Sequence, residues 1–189
     1  MTGMATATKP KALHFTDDPE AAALLAKDPM ALLIGFALDQ QVPVPTAFAG
    51  PYKLKQRLGT LDAATIADAD PAALEQIFRQ KPAIHRFPGT MAKRVQELAA
   101  VVADQYGGDA ERIWRDASDS ADLRRRLAEL PGFGQMKVMG LGSVLARRFG
   151  VAVAHDLSPD HACLGDVDSP EALADYQAQK RVHRKTGAT

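Results

Sequence analysis

Cysteine, net charge and long apolar runs are all scarce in this sequence of 189 residues. Cys163 is the only cysteine, which excludes a disulfide within the chain and any zinc site or iron–sulfur cluster held by several of its cysteines. No apolar run reaches the roughly 20 residues of a membrane-spanning helix. Residues 1–12 also lack the apolar middle of a signal peptide. We therefore expect a cytoplasmic protein that has no membrane partner.

Helical periodicity extends over nearly the whole chain. Apolar residues recur three or four positions apart through 88–106, which predicts the clearest amphipathic helix. The other predicted helices are 29–41, 46–57, 62–69, 71–80, 120–130, a segment from 135 to Phe149, and 169–183. Only Val151–Val153 hints at a strand, and 150–168 otherwise has the composition of a loop. The predicted fold class is all-α, with a disordered tail at 1–12.

A short segment between two predicted helices has an unusual backbone chemistry. It reads Leu130-Pro131-Gly132-Phe133-Gly134-Gln135-Met136-Lys137. Pro131 fixes its own φ, whereas Gly132 and Gly134 can adopt positive φ and leave the backbone uncovered. The hairpin can therefore present bare N–H groups, which add to the unpaired donors of the following helix N-terminus and suit a phosphate oxygen. The alternative is an ordinary Pro-Gly turn between two packed helices.

The hairpin resembles the helix-hairpin-helix of the HhH-GPD superfamily of base-excision DNA glycosylases. A second segment, Leu32–Val44 with Gln40-Gln41-Val42, is similar to a stretch of the alkyladenine branch, and Phe87–Val95 is a weaker match. The resemblance implies a two-lobed, all-α fold, with a single domain at 13–189 and a cleft between its lobes. It also implies a monomer that acts on duplex DNA containing a damaged or mismatched base, in the bacterial cytoplasm at the nucleoid. The four-cysteine cluster of the endonuclease III branch is excluded, so no iron–sulfur cofactor is expected.

The balanced charge speaks against a nucleic-acid partner, since such domains are usually basic. There are 23 basic and 23 acidic residues, but they are unevenly distributed. The basic residues cluster at 53–57, 79–86, 93–94, 124–126, 147–148 and 181–185. Clusters that share one face can neutralise several phosphates, whereas any single cluster is as easily explained as solvated helix surface. We expect modest binding that depends strongly on salt.

The resemblance also assigns residues that contact DNA. The Gln40 and Gln41 pair is expected to reach the gap left by the extruded base, although a helix-terminal pair bonded within the protein is the alternative. The loop around Arg86 is expected to supply a wedge from His85 or Phe87, and Phe87 is equally well explained as a core anchor. The remaining expected contacts are Lys93 and the hairpin residues Gly132, Phe133, Gly134, Gln135, Met136 and Lys137.

Hydrolysis of a glycosidic bond builds positive charge on the sugar, so the site needs a carboxylate. In the family this is an aspartate after the hairpin, and the candidates in this chain are Asp156, Asp160, Asp166 and Asp168. We favour Asp166 and Asp168 over Asp156. Asp168 is also explained as the N-cap of the last helix. Because the family's surrounding motif is missing, a damaged-DNA-binding protein without catalysis is the alternative function.

A further residue decides the reaction class. Bifunctional members place a nucleophilic lysine two residues beyond the second hairpin glycine, and here that residue is Met136. Lys137 is adjacent, but one step along a helix turns a side chain by about 100°. The sequence therefore predicts a monofunctional glycosylase. By resemblance, the backbone carbonyls of Ala128, Leu130 and Phe133 are expected to hold Na⁺ or K⁺.

Overall fold

The computed structural model describes residues 9–186, and every regular element in this part of the chain is helical. The α-helices are α1 (Pro19–Lys27), α2 (Pro29–Leu38), α3 (Val44–Leu58), α4 (Ala63–Ala67), α5 (Pro71–Arg79), α6 (Pro88–Tyr106), α7 (Arg112–Arg115), α8 (Ser120–Ala128), α9 (Gln135–Phe149) and α10 (Pro170–Thr186). Two 3₁₀ helices, Ala152–Leu157 and Leu164–Asp166, lie between α9 and α10. The all-α prediction is confirmed. Most of the tail predicted to be disordered lies outside the described residues.

Four helices of the first half begin at an aspartate. Asp18, Asp28, Asp62 and Asp70 each accept a backbone N–H from two or three residues further on, at 2.8 or 2.9 Å. A proline follows the cap in α1, α2 and α5, where the missing N–H costs nothing. These starts are therefore encoded locally. The Asp18-Pro19 pair begins α1 in the same way, although helical periodicity did not predict this helix.

The end of α2 differs from the prediction. The helix stops at Leu38 rather than at Gln41, and the N–H of Asp39 bonds to the Phe36 carbonyl at 3.2 Å. The chain then turns sharply, because Gln41 adopts a left-handed φ of 56°. α3 begins at Val44, directly after the turn. The glutamine pair consequently lies on a corner outside the helix.

The chain that follows α9 packs on this helix through two glycines. A Cβ on Gly142 would lie 2.5 Å from the Cβ of Leu157, and one on Gly165 would lie 2.5 Å from the Ser143 carbonyl oxygen. The N–H of Gly165 donates to the Ser143 hydroxyl at 3.1 Å. Because this contact lets the chain lie directly on α9, Val151–Val153 enters a 3₁₀ helix and not the predicted strand.

The core of the first half is built around α2, in which every residue from Met30 to Leu38 is buried. Phe48 of α3 packs edge-on between Phe15 and Phe36, with ring centroids 5.1 Å away on each side. Gly35 of α2 faces this ring. The absence of a side chain at Gly35 allows α2 and α3 to approach closely.

The main contacts between elements fall into two groups. Helices α1 to α6 contact one another, and α7 to α9 contact one another and the two 3₁₀ helices. One continuous hydrophobic cluster includes residues of both groups. The predicted division into two lobes with a cleft remains a prediction.

No single helix among residues 9–186 is long and apolar enough to cross a membrane. The pair α1 and α2, bent by 116°, meets the requirement for length and composition only when the two helices are taken together.

Adding one methyl group at Gly35 tests the packing of α2 on α3. A Cβ there would lie 2.5 Å from Phe48 Cδ1, and the ring is held on both sides by other phenylalanines. We expect Gly35→Ala to lower the free energy of unfolding by about 1–3 kcal/mol, measured by denaturant titration.

The control for that measurement is Gly89→Ala, in the first turn of α6. Its Cβ would meet the flexible end of Glu75 at 3.1 Å, so the carboxylate can move away. We expect unchanged stability or a gain of up to about 1 kcal/mol. Equal losses in the two variants would contradict this account of the packing.

Candidate functional site

The hairpin between α8 and α9 is anchored by two buried residues. Leu130 and Phe133 are 3% and 4% exposed, and the Phe133 N–H donates to the Leu130 carbonyl at 3.1 Å. Gly132 has a φ of 78°, as expected from its position in the turn. Gly134 does not use its capacity for a positive φ, because it caps α9 in an extended conformation with a φ of −79°. A Cβ on Gly134 would nevertheless meet nothing within 4 Å.

The tip of the hairpin is open to solvent. Gly132, Gly134, Gln135 and Met136 are all exposed, and Met136 is exposed to 78%. The first N–H groups of an α-helix have no acceptor within the helix. The start of α9 therefore offers backbone donors and a partial positive charge at an uncovered surface, which suits a phosphate oxygen.

His85 lies beside the end of α2 and is only 2% exposed. Its Nδ1 accepts the Phe87 N–H at 3.0 Å, so the hydrogen-bond network places the ring proton on Nε2. Nε2 then donates to the carbonyls of Leu38 and Gln40, at 3.1 and 3.0 Å. Burial lowers the pKa of His85, although its two carbonyl partners oppose this effect. A buried, neutral imidazole that holds two segments together does not form the exposed wedge predicted for His85.

The corner at Gln40 and Gln41 is exposed. Among the described residues other than glycine, Gln41 alone has a positive φ. This conformation costs free energy and occurs often at functional sites. The side-chain oxygen of Gln40 accepts a hydrogen bond from Arg94 at 3.2 Å. The alternative, a helix-terminal pair bonded within the protein, is met in part: α2 has already ended at Leu38, but Gln40 is bonded to Arg94 and His85.

Two cations connect this corner with the hairpin. The Arg94 side chain, which bonds to Gln40, also crosses the hairpin, since a Cβ on Gly132 would lie 2.5 Å from Arg94 Cδ. Lys137, in the first turn of α9, donates to the Ala37 carbonyl at 3.3 Å. Burial lowers the pKa of Lys137; the charge of Asp39 opposes this effect and that of Arg94 adds to it. The sequence analysis singled out Lys93 as a DNA contact and did not single out its neighbour Arg94.

The loop before α6 presents Phe87 at the surface, with 39% of its area exposed. The Arg86 guanidinium lies 4.9 Å from the centroid of that ring. This exposure contradicts the alternative prediction that Phe87 anchors the loop in the core. Lys93 is exposed as well, and its amine lies 3.8 Å from the Glu97 carboxylate.

We call the surface formed by the α2 corner, the loop before α6 and the hairpin tip the hairpin face. It consists of Gln40, Gln41, Arg86, Phe87, Arg94, Gly132, Gly134, Gln135, Met136 and Lys137. A cavity of about 520 Å³ adjoins it, between the corner and α10. The cavity is lined by Gln41, Val42, Pro43, Val44, Arg86, Gln177, Lys180 and Arg181.

Asp166 lies away from the hairpin face. Its carboxylate pairs with the Arg147 guanidinium and accepts the Cys163 N–H at 3.0 Å. Burial opposes ionisation, but these partners outweigh it and lower the pKa of Asp166. Arg147 follows Gln135 by twelve residues within α9, a distance of about 18 Å along the helix. Asp166 therefore connects the second 3₁₀ helix to the far end of α9.

Asp156 and Asp168 do not reach the hairpin face through any described contact. Asp156 accepts the Ser120 hydroxyl at 2.9 Å, at the start of α8 and about 12 Å along that helix from Ala128, where the hairpin begins. Asp168 is exposed just before α10. It does not cap that helix as the alternative proposed, because the Ser169 hydroxyl accepts the Ala172 N–H at 3.1 Å. The catalytic role of these carboxylates remains a prediction.

The cation predicted at the hairpin also remains a prediction. Among residues 9–186, no group of three His, Cys, Asp or Glu side chains is arranged to hold a metal ion. The predicted ligands are backbone carbonyls instead, and that of Leu130 already accepts one hydrogen bond, from Phe133. A carbonyl oxygen has two lone pairs, so one remains for a cation.

An exposed glycine hairpin at the start of α9 thus lies beside a corner that carries two amide side chains. A family model described as HhH-GPD superfamily base excision DNA repair protein matches residues 34–185. The chain therefore belongs to the HhH-GPD superfamily, and its general role is that of a DNA glycosylase in base excision repair. Comparison with curated proteins and with solved structures gave no match.

The burial of His85 predicts how stability depends on pH. The lowered pKa means that the folded protein prefers the neutral ring, so stability is fully present above about pH 6.5 and is lost as the pH falls below that value. The slope can reach about 1.4 kcal/mol per pH unit. We expect wild-type protein to lose stability between pH 7 and pH 5.5, measured by urea unfolding.

His85→Gln keeps an amide donor for the α2 carbonyls but cannot titrate, so we expect it to flatten this pH dependence while lowering stability at pH 7. His155→Gln, at an exposed position, serves as the control and should retain the wild-type pH profile. An unchanged profile in His85→Gln would mean that another group causes the loss.

Proposed function

We propose that this protein is a monofunctional DNA glycosylase that removes a damaged base from duplex DNA as a monomer. The single observation that carries the proposal is the hairpin face, where exposed N–H donors of Gly134 and Gln135 and the amides of Gln40 and Gln41 share one surface. The donors suit a backbone phosphate. The amides suit the hole left in the duplex when a base is extruded. Phe87 is the proposed wedge, because it is the exposed aromatic residue of the adjoining loop.

The monofunctional assignment is supported by Met136 and Lys137. Met136 occupies the position of the lyase lysine in bifunctional members and carries no nucleophile. The amine of Lys137 turns back onto the Ala37 carbonyl. The glycosidic bond is then broken by water with the assistance of a carboxylate, and strand cleavage does not follow. The Gln40-Gln41-Val42 corner supports alkylated purines as the first substrates to test.

The charge pattern supports binding through one face. Two of the three arginines of α8 are engaged locally, since Arg125 and Arg126 both pair with Asp122, at 2.5 and 2.9 Å. On the hairpin face the cations contact neutral groups instead: Arg94 bonds to the Gln40 amide and Arg86 stacks on an aromatic ring. These two cations are therefore placed to meet DNA phosphates at little cost in broken ion pairs.

The second candidate function is a damaged-DNA-binding protein without catalysis. It is favoured by the positions of Asp156 and Asp166, whose carboxylates bond to protein groups at the far ends of α8 and α9.

Incubation with labelled duplexes separates the two functions. The duplexes carry an alkyladenine, hypoxanthine, uracil or 8-oxoguanine, and the products are resolved before and after hot alkali. We expect cleavage of one duplex only after alkali, because a monofunctional enzyme leaves an intact abasic strand. Cleavage without alkali would contradict the monofunctional assignment. Retained binding to abasic DNA without any turnover would favour the second function.

A single charge change at the hairpin tip tests the phosphate contact separately from folding. In Gln135→Glu a carboxylate occupies the first position of α9, where it stabilises the helix by about 0.3–1 kcal/mol but repels a phosphate. We expect unchanged or higher stability, and binding to abasic duplex that is weaker by roughly tenfold at low salt.

The matched control is Gln105→Glu, an exposed residue at the opposite end of α6 from the hairpin face. This variant should bind DNA as the wild type does, by fluorescence anisotropy. A similar loss in both variants would show that total charge matters and that the hairpin does not.

A further inference from the structure

The cavity between the α2 corner and α10 is rich in positive charge. Three cations line it, namely Arg86 from the loop before α6 and Lys180 and Arg181 from α10, and all three are exposed. None of the residues that line this cavity is acidic. Its volume of about 520 Å³ lies within the usual range for ligand sites. The charge of the wall therefore favours an anionic ligand.

Carboxylates of the protein do not neutralise these cations. Among the described residues, no ion pair includes Arg86, Lys180 or Arg181. Two of the three lie against aromatic rings instead. The Arg86 guanidinium is 4.9 Å from the centroid of the Phe87 ring, and the Lys180 amine is 5.6 Å from that of Tyr176. A ring face orients a cation without cancelling its charge, so the cavity keeps its positive charge for a ligand.

The helix dipole does not explain the cations of α10. Basic side chains are stabilised in the last turn of a helix, and this effect fades within that turn. Lys180 and Arg181 lie more than one turn before Thr186, where α10 ends. The helix also has no acidic residue from Tyr176 onwards that could compensate their charge. The two side chains thus add positive charge to the cavity without a structural benefit to the helix.

The rest of the lining suits a sugar-phosphate backbone. Residues 42–44 form an apolar side, and Gln41 and Gln177 add amide donors. Amide side chains commonly donate to phosphate and sugar oxygens in complexes with DNA. Gln41 and Arg86 belong to the hairpin face as well, so the cavity is continuous with the surface proposed to meet DNA. This continuity favours a phosphate of a bound strand over a free anion.

We propose that this cavity is a second phosphate-binding site of the DNA interface, in which Arg86, Lys180 and Arg181 hold a backbone phosphate. The inference rests on the proposed function and brings α10 into the interface. In the sequence this helix showed only a basic cluster at 181–185, to which no DNA contact was assigned. A phosphate contact positions the duplex and carries no base information. The site therefore contributes equally to the affinity for damaged and undamaged DNA.

The salt dependence of binding tests this site. Affinities for an abasic and an undamaged duplex are measured by fluorescence anisotropy over a range of salt concentrations. Each neutralised phosphate contributes about 0.9 to the slope of log K against log salt. In the double variant Lys180→Gln/Arg181→Gln we expect that slope to become shallower by about 0.9. Binding of both duplexes should weaken by the same factor, roughly tenfold at low salt.

The matched control is Lys27→Gln/Lys55→Gln, which removes the same charge from two exposed positions. Both lysines lie near the start of α2, at the opposite end of this helix from the corner, since Lys27 precedes its cap and Lys55 shares a cavity with Pro29. The control should bind both duplexes with the wild-type slope. An equal loss in the two double variants would show that net charge is responsible, and would overturn the inference.

A variant within α10 separates the cavity from the helix as a whole. Lys185 is exposed further along α10, beyond the residues that line the cavity. Lys185→Gln should retain a slope close to that of the wild type. If this variant loses as much as Lys180→Gln/Arg181→Gln, the whole basic end of the helix attracts DNA, and the assignment to the cavity is overturned.

A free nucleotide is the other source of a phosphate, and deoxyadenosine 5′-monophosphate is the probe for it. Its binding is measured by calorimetry in the wild type and in Lys180→Gln/Arg181→Gln. Loss of nucleotide binding in the variant, with unchanged affinity and slope for both duplexes, would identify a free-nucleotide site. That result would overturn the inference and leave the proposed function intact. A wild type that binds neither duplex at low salt would overturn both proposals.

Discussion

The last carbonyl groups of α2 must find hydrogen-bond donors, because a helix has none to offer them and this helix is buried throughout. His85 donates to the carbonyls of Leu38 and Gln40, and Lys137 donates to that of Ala37. A buried carbonyl left without a donor costs about 1–3 kcal/mol. The two donors belong to the loop before α6 and to the first turn of α9, which are distant in sequence. Satisfying the end of one apolar helix therefore brings the loop, the corner and the hairpin to one face.

Local chemistry made much of the fold predictable. The bounds of α6 matched the prediction because Pro88 starts the helix and Gly107 ends it in a left-handed conformation. The hairpin was predictable because Pro131, Gly132 and Gly134 mark a turn between two helices. The end of α2 was not, since the periodicity continues past Leu38 and the helix stops where carbonyls turn to His85. The 3₁₀ turns after α9 depend on close packing against Gly142, which a sequence pattern does not reveal.

The candidate site was predictable where a residue acts through its own backbone or its immediate neighbours. The exposed hairpin tip and the Gln40–Gln41 corner are of this kind. His85 was predicted to be a wedge from its residue type and its place in the loop, but tertiary contacts bury its ring. The search for a carboxylate followed the order of the family motif and led to Asp156, Asp166 and Asp168.

The distribution of ion pairs has a consequence for how the molecule finds its target. Several arginines away from the hairpin face already pair with carboxylates, among them Arg112, Arg115 and Arg126. Affinity for undamaged DNA grows with the number of phosphates that a protein neutralises, through the counterions they release. A protein that has no net charge and meets DNA through the cations of one face releases few counterions and dissociates quickly. Its search then consists of many short encounters rather than long slides, and its dwell time at any site reports how well that site fits the hairpin face.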